Sequence, residues 1–177
     1  LDEYLGVTRD DPNNLTGWLF REFFDPAHID PDQVEIVPSE PEDPIAEAAA
    51  YEAKLAAAGG LELAVLGIGE NGHIAFNEPG SPVDSRTRVL ELTPESQDQA
   101  AAYWKGVFPA PTHAMTIGVA TIRDARQILL IATGEAKAPI LARALRGPIT
   151  DDVPASHLRT ASDKLTVVID QAAAAEL

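Results

Sequence analysis

The stretch that decides the fold reads Leu61-Glu-Leu-Ala-Val-Leu66, then Gly67-Ile-Gly69, then Glu70-Asn71-Gly72-His73 and Ile74-Ala-Phe-Asn-Glu78-Pro79-Gly80. Six mainly apolar residues running into glycines predict a short buried strand that ends in a loop. Similar apolar runs stand at residues 114–117, 128–132 (ILLIA) and 165–169 (LTVVI). Short, β-branched and almost uninterrupted by charge, they read as strands buried on both faces. Helical patterns lie between and around them at residues 15–24, 44–58, 94–104, 135–145 and 170–177. Pro44 suits a first helical turn and Gly59-Gly60 a helix stop. Strands that alternate with helices predict an α/β fold, a mostly parallel, Rossmann-like sheet flanked by helices with right-handed crossovers. In such a sheet ligands bind beyond the carboxyl ends of the strands. The loop that starts at Gly67 is therefore the first place to look for chemistry.

Composition narrows the partners. The chain has 177 residues, 45% of them apolar, so one core and one domain spanning residues 1–177 are expected. Thirteen Lys and Arg against 28 Asp and Glu give a formal charge of -15, a field that repels nucleic acid. A small anion can still bind where a few cations or backbone N–H groups converge. There is no cysteine, which removes disulfides, thiolate nucleophiles and Cys-ligated metal and permits a reducing, cytoplasmic setting. No apolar run approaches 18 residues, so no membrane segment is expected. The chain opens on Leu1 directly into Leu-Asp-Glu-Tyr, which reads as the middle of a longer polypeptide.

Within residues 67–80, Glu70, Asn71, His73, Asn77 and Glu78 crowd around one histidine. An imidazole titrates near neutrality, and a neighbouring carboxylate fixes its tautomer and favours its protonated form, as a general acid and base requires. Gly67, Gly69 and Gly72 also match G-x-G-x-x-G formally. His73 and Asn-Glu-Pro replace the helix that a dinucleotide loop needs, and no acidic strand end follows about 20 residues later, so that reading is set aside. His28, His113 and His157 lack metal-ligand spacing and read as surface or turn residues. No metal is called for. Ser81, Ser85 and Ser156 lie in no nucleophile-elbow pattern. By position alone, Asp2-Glu3-Tyr4 reads as a solvated acidic end.

Leu1-Asp-Glu-Tyr-Leu-Gly6, Gly67 to Gly80, Ser85-Arg-Thr-Arg88, Thr116-Ile-Gly-Val119, Thr133-Gly-Glu-Ala-Lys137 and Val153-Pro-Ala-Ser156 together resemble the glucosamine-6-phosphate deaminase family, in family order along nearly the whole chain. Gly-His-Ile-Ala-Phe-Asn-Glu-Pro is the specific signature; related 6-phosphogluconolactonases carry a Gly-His-Thr-Ala-Ser-type run. The resemblance implies conversion of glucosamine 6-phosphate and water into fructose 6-phosphate and ammonia, without metal or organic cofactor. It implies Asp2 as the carboxylate that moves a proton between C2 and C1, and His73 as the ring-opening acid and base. Glu78 would tune His73, Asn71 would complete the relay, and Lys137 would meet the phosphate. Gly67, Gly69 and Gly72 would let the backbone approach the sugar. It also implies that the family's N-terminal strand, phosphate loop and helix precede Leu1, which leaves sheet edges open to pairing in a homo-oligomer.

The departures define the alternatives. Asn71 stands where an acidic residue is common, Asn14-Leu15 replaces a Ser-Tyr pair, and Ala100-Ala-Ala-Tyr-Trp104 lacks the arginine that helps to bind phosphate. Arg88 is present, but Leu90 replaces a lysine of the allosteric anion site, so no such regulation is expected. The alternatives are an enzyme of altered substrate, such as a galactosamine-6-phosphate isomerase or a lactone hydrolase, and a non-catalytic sugar-phosphate sensor.

Overall fold

A computed structural model describes residues 1–104 and 111–177. In chain order the elements are β1 (Asp2–Tyr4), α1 (Leu15–Leu19), α2 (Pro44–Ala57), β2 (Leu63–Leu66), β3 (Arg88–Glu91), α3 (Pro94–Trp104), β4 (His113–Thr116), α4 (Val119–Asp124), β5 (Gln127–Ala132), α5 (Ala138–Arg146) and β6 (Leu165–Ile169). They form two compact units, Leu1–Tyr51 with Arg88–Thr116, and Glu52–Thr87 with Ile117–Leu177. Residues 108–110 of the expected Pro-rich connection lie outside the described residues. No described helix is long and apolar enough to cross a membrane.

The first unit corrects the expectation of parallel strands for residues 114–117. Its sheet is antiparallel in the order β1-β4-β3, with β4 in the centre. Ala114, Met115 and Thr116 are fully buried, as their apolar run predicts. The two flanking strands are short and carry charges, and they pair because β4 offers a ladder on both sides. Asp2 lies opposite Thr116, and so does Arg88 from the other edge. The acidic start is therefore a strand and not a solvated end. Burial pushes the Arg88 guanidinium below its ordinary value. The predicted helix over 15–24 continues past Leu19 as a π-helical turn over Phe20–Phe24, where the Asp25 N–H donates to the Phe20 carbonyl at 3.0 Å. Wider turns of this kind accommodate packed aromatic rings, and Phe20 and Phe24 meet edge to face at 5.1 Å.

The second unit holds the parallel sheet, in the order β2-β5-β6. Ala64, Leu66, Ile128, Leu130 and Ala132 are buried on one face. On the other, Leu63 (46% exposed), Val65 (50%) and Val168 (50%) remain open to solvent in this chain, so these strands are not buried on both faces. Leu141 and Ala144 of α5, Ile122 of α4 and Leu158 of the 3-10 turn Pro154–Ala161 complete the core, fully buried. Each such Leu or Ile contributes about 1.5–3 kcal/mol. The helix expected over 135–145 begins as a 3-10 turn, Glu135–Lys137, before α5. The helix expected over 170–177 is instead a run of turns, with Ala175 N–H donating to the Ala172 carbonyl and Leu177 N–H to the Ala174 carbonyl. Eight residues are too few for alanine propensity alone to hold an α-helix. Asp170 caps it, accepting from Ala173 N–H at 2.8 Å and Gly134 N–H at 3.1 Å, which holds its carboxyl below the ordinary value.

Pro44 opens α2 as expected, and the Asp43 carboxylate accepts from the Ile45 and Ala46 N–H groups at 3.1 Å. Gly59 and Gly60 end it at φ 87° and 83°, with Gly60 N–H returning to the Leu55 carbonyl at 2.8 Å.

Candidate active site

β2 ends at Leu66, and the chain turns at once into residues 67–80, the position that the parallel sheet reserves for a ligand site. The Gly72 N–H donates to the Gly69 carbonyl at 2.9 Å and the Gly69 N–H to the His73 carbonyl at 3.0 Å, which folds the loop back on itself. This brings the His73 ring flat against the Gly69 Cα. A methyl group built at residue 69 would lie 2.3 to 2.5 Å from Cε1, Nδ1 and Nε2, so only glycine admits the ring there. Gly72 has φ 97°, and a Cβ there would meet Val153 Cγ1 at 2.9 Å. At Gly69 and Gly72 the close neighbour is thus protein; at Gly67, exposed, nothing lies within 4 Å of a built Cβ.

The structure brings three of the expected groups into one cluster. Asn71 Nδ2 donates to Glu78 Oε2 at 2.9 Å, while Asn71 Oδ1 accepts from the His73 N–H at 3.0 Å. Glu78 Oε2 in turn lies 3.7 Å from His73 Nδ1. Glu78 is nearly sequestered, its side chain 5% exposed, whereas His73 keeps 20% and reaches solvent. A buried carboxylate beside Nδ1 favours the charged form of the imidazole. Asn71 suits this network as an amide, because it donates to a carboxylate that a second carboxylate would repel. Glu70 is exposed, and Asn77 is structural: fully buried, its Nδ2 donates to the Ile74 and Ile117 carbonyls at 3.0 and 2.9 Å. Ala75 takes φ 51° between them, a left-handed conformation rare for a residue with a Cβ.

Lys137 lies elsewhere in the same unit, half-buried at the end of the 3-10 turn, with its N–H donating to the Gly134 carbonyl at 3.1 Å. Asp2 belongs to the other unit, half-exposed on β1. Its neighbour Glu3 is fully buried, and its carboxylate accepts from the N–H groups of Thr16 (2.7 Å), Tyr4 (2.9 Å) and Leu15 (3.1 Å). Burial pushes the Glu3 carboxyl up from its ordinary value, and those three donors oppose the shift. Glu3 thus anchors the strand of Asp2 to the first turn of α1.

Sequence reasoning missed one more element. His157, read as a surface or turn residue, is buried, and its Nε2 lies 2.7 Å from Asp151 Oδ1. Ser156 stands beside it, but its hydroxyl is engaged by Thr150 N–H and the Thr150 carbonyl at 2.9 and 3.1 Å, so the three do not form a nucleophilic triad. Among the described residues no set of three or more His, Asp or Glu side chains converges as a metal ion requires.

The family model described as glucosamine-6-phosphate isomerases/6-phosphogluconolactonase matches residues 2–167. A glucosamine-6-phosphate deaminase of Rhodopirellula baltica is 42% identical over all of this chain and 70% of its own length, and one of Shewanella loihica is 43% identical over all of this chain and 66% of its own. The chain therefore spans about two thirds of the length of these relatives. Among solved structures, a monomeric glucosamine-6-phosphate deaminase superposes with a TM-score of 0.91 at 38% identity, covering all of this chain and 73% of that one. A 6-phosphogluconolactonase from Trypanosoma cruzi, with a TM-score of 0.70 at 20% identity over 99% of this chain and 70% of its own, shares the fold.

Proposed function

The chain belongs to the family of glucosamine-6-phosphate isomerases and 6-phosphogluconolactonases, and from that premise we propose that it deaminates glucosamine 6-phosphate to fructose 6-phosphate and ammonia. The observation that carries the proposal is the Asn71–Glu78–His73 cluster at the carboxyl end of β2. Ring opening needs one group that takes a proton from the C1 hydroxyl and returns one to the ring oxygen, and an imidazole poised by a buried carboxylate suits both tasks. Asp2 then takes the C2 proton of the open aldehyde while O1 gains a proton, which gives an enolamine, and the Asp2 carboxyl delivers its proton to C1. The resulting C2 iminium adds water, and expulsion of ammonia leaves the ketone, so the only hydrolytic step is the last. Lys137 meets the phosphate as a point charge.

Ammonia release from glucosamine 6-phosphate, with Asp2→Asn as the paired variant, tests the reading. The substitution is expected to lower kcat by about 10²- to 10⁴-fold while KM changes little. If neither amino-sugar epimer yields ammonia and 6-phosphogluconolactone is hydrolysed instead, the lactone hydrolase reading replaces this one. Binding of glucosamine 6-phosphate without any turnover favours the sensor.

A further inference from the structure

Both ends of the segment that carries His73 and Glu78 are held by one loop, residues 150–157. At the upstream end, the Ala155 N–H donates to the Gly72 carbonyl at 3.0 Å, and the Val153 side chain fills the space that a Cβ on Gly72 would need. At the downstream end, the Gly80 N–H donates to the Asp151 carbonyl at 2.8 Å. Several hydrogen bonds close the loop on itself. Val153 N–H reaches the Thr150 carbonyl at 3.1 Å, the Ser156 hydroxyl bridges Thr150, and His157 Nε2 meets Asp151 Oδ1 at 2.7 Å. Only the last of these involves charge. His157 is rooted in the buried 3-10 turn Pro154–Ala161, whereas the Asp151 side chain is half-exposed.

We propose that Asp151 and His157 form a positioning pair that sets the distance between Glu78 and His73. The argument is mechanical. Without an anchor, the exposed end of a loop closed mainly by turn hydrogen bonds samples several conformations. Asp151 carries the carbonyl on which Gly80 rests, and Gly80 lies two residues beyond Glu78. Tying the Asp151 side chain to His157 therefore fixes the turn that places Glu78 beside Nδ1. The present 3.7 Å is long for a hydrogen bond and short for a charge contact, so small displacements alter it in proportion. The carboxylate that faces the imidazole of His73 is Glu78, at 3.7 Å, and the one that faces His157 is Asp151, at 2.7 Å; Glu70, Asp152 and Arg159 are the other charged residues on the same stretches of chain.

This inference rests on the assignment of His73 as the acid and base, but its test does not require turnover. In the intact protein, Asp151→Ala is expected to lower the titration midpoint of the His73 imidazole, followed by NMR, and to speed amide exchange at Gly80. It is expected to reduce kcat about ten-fold while KM stays within about two-fold, the split that follows when an interaction made only in the transition state is lost. Asp151→Asn, which keeps an acceptor for Nε2, restores most of all three. Asp152→Ala, one residue along and exposed, is the control. An Asp151→Ala protein that folds and keeps the parental His73 midpoint and Gly80 exchange overturns the proposal. Absence of ammonia release from the parent overturns the deaminase reading instead, and the two results are read separately.

Discussion

The two compact units hold their candidate proton-transfer groups by different means. Asp2 sits on a strand, in register with Thr116 in the antiparallel sheet, and its orientation is set by the ladder and by the buried carboxylate of Glu3 next to it. His73 sits on a loop after a parallel strand, oriented by a glycine under its ring, an amide on its backbone and a carboxylate at Nδ1. A strand-borne group is fixed by elements that also hold the fold together. A loop-borne group is fixed by contacts that the fold could spare. Disturbing the first should therefore register as lost stability, and disturbing the second as lost function in a folded protein.

The sharpest test of that contrast is Glu3→Gln. The amide keeps one acceptor but turns a donor toward Thr16 N–H, in a fully buried site, and a loss of about 1–3 kcal/mol in unfolding free energy is expected from chemical denaturation. The loss should vary with pH. Because burial raises the folded-state value, the stability that Glu3 contributes is fully present below its ordinary value of 4.5 and is lost as pH rises through the raised one. The penalty for Glu3→Gln should thus be largest in acid and shrink toward neutrality; a penalty that grows with pH would show that the three N–H donors outweigh burial. Gly69→Ala probes the other unit. Its Cβ collides with three ring atoms, so the His73 ring must swing away, and kcat is expected to fall about ten-fold, near 1.4 kcal/mol, with little change in Tm. A Gly69→Ala protein that loses stability instead would erase the contrast between the units.

The same division explains what the sequence discloses. β2, β6 and most of β5 are legible because their apolar runs are short and nearly continuous, although one face of the sheet stays open in this chain, and α2 because Pro44 and Gly59-Gly60 bracket it. β1 and β3 are not legible. Three or four residues with charges at Asp2, Glu3, Arg88 and Glu91 have no strand pattern of their own, and they pair because β4 lies between them. Glu3 looks solvated because its compensating donors, Leu15 and Thr16, are 12 and 13 residues away and carry no signature of that role. Asn71, His73 and Glu78 are legible because all three lie within eight consecutive residues behind a strand. His157 is not, since its partner Asp151 is hidden in a polar turn; the signal that was available is an Asp and a His on either side of Val-Pro-Ala-Ser, a spacing that a tight loop closes.

The effect expected at Asn71 costs least in stability and is the most specific to the loop. In Asn71→Asp the substituted carboxylate faces Glu78 Oε2 where an amide donated at 2.9 Å, and the second of two carboxylates at that separation ionises only against the charge of the first. In acid one of them keeps a proton, donates in place of the amide, and leaves the network and the fold much as before. As pH rises the shared proton is lost against repulsion. The pair's folded-state value is raised, so its stability is present in acid and declines toward neutrality, by up to about 1 kcal/mol for a partly exposed site. The added negative charge favours the His73 imidazolium, and the imidazole titration, followed by NMR, is expected to move upward by about one unit, worth about 1.4 kcal/mol. An unchanged midpoint would mean that the charge on Glu78 and the charge on residue 71 are not felt at His73, and the loop's electrostatic tuning would reduce to the packing of the ring on Gly69.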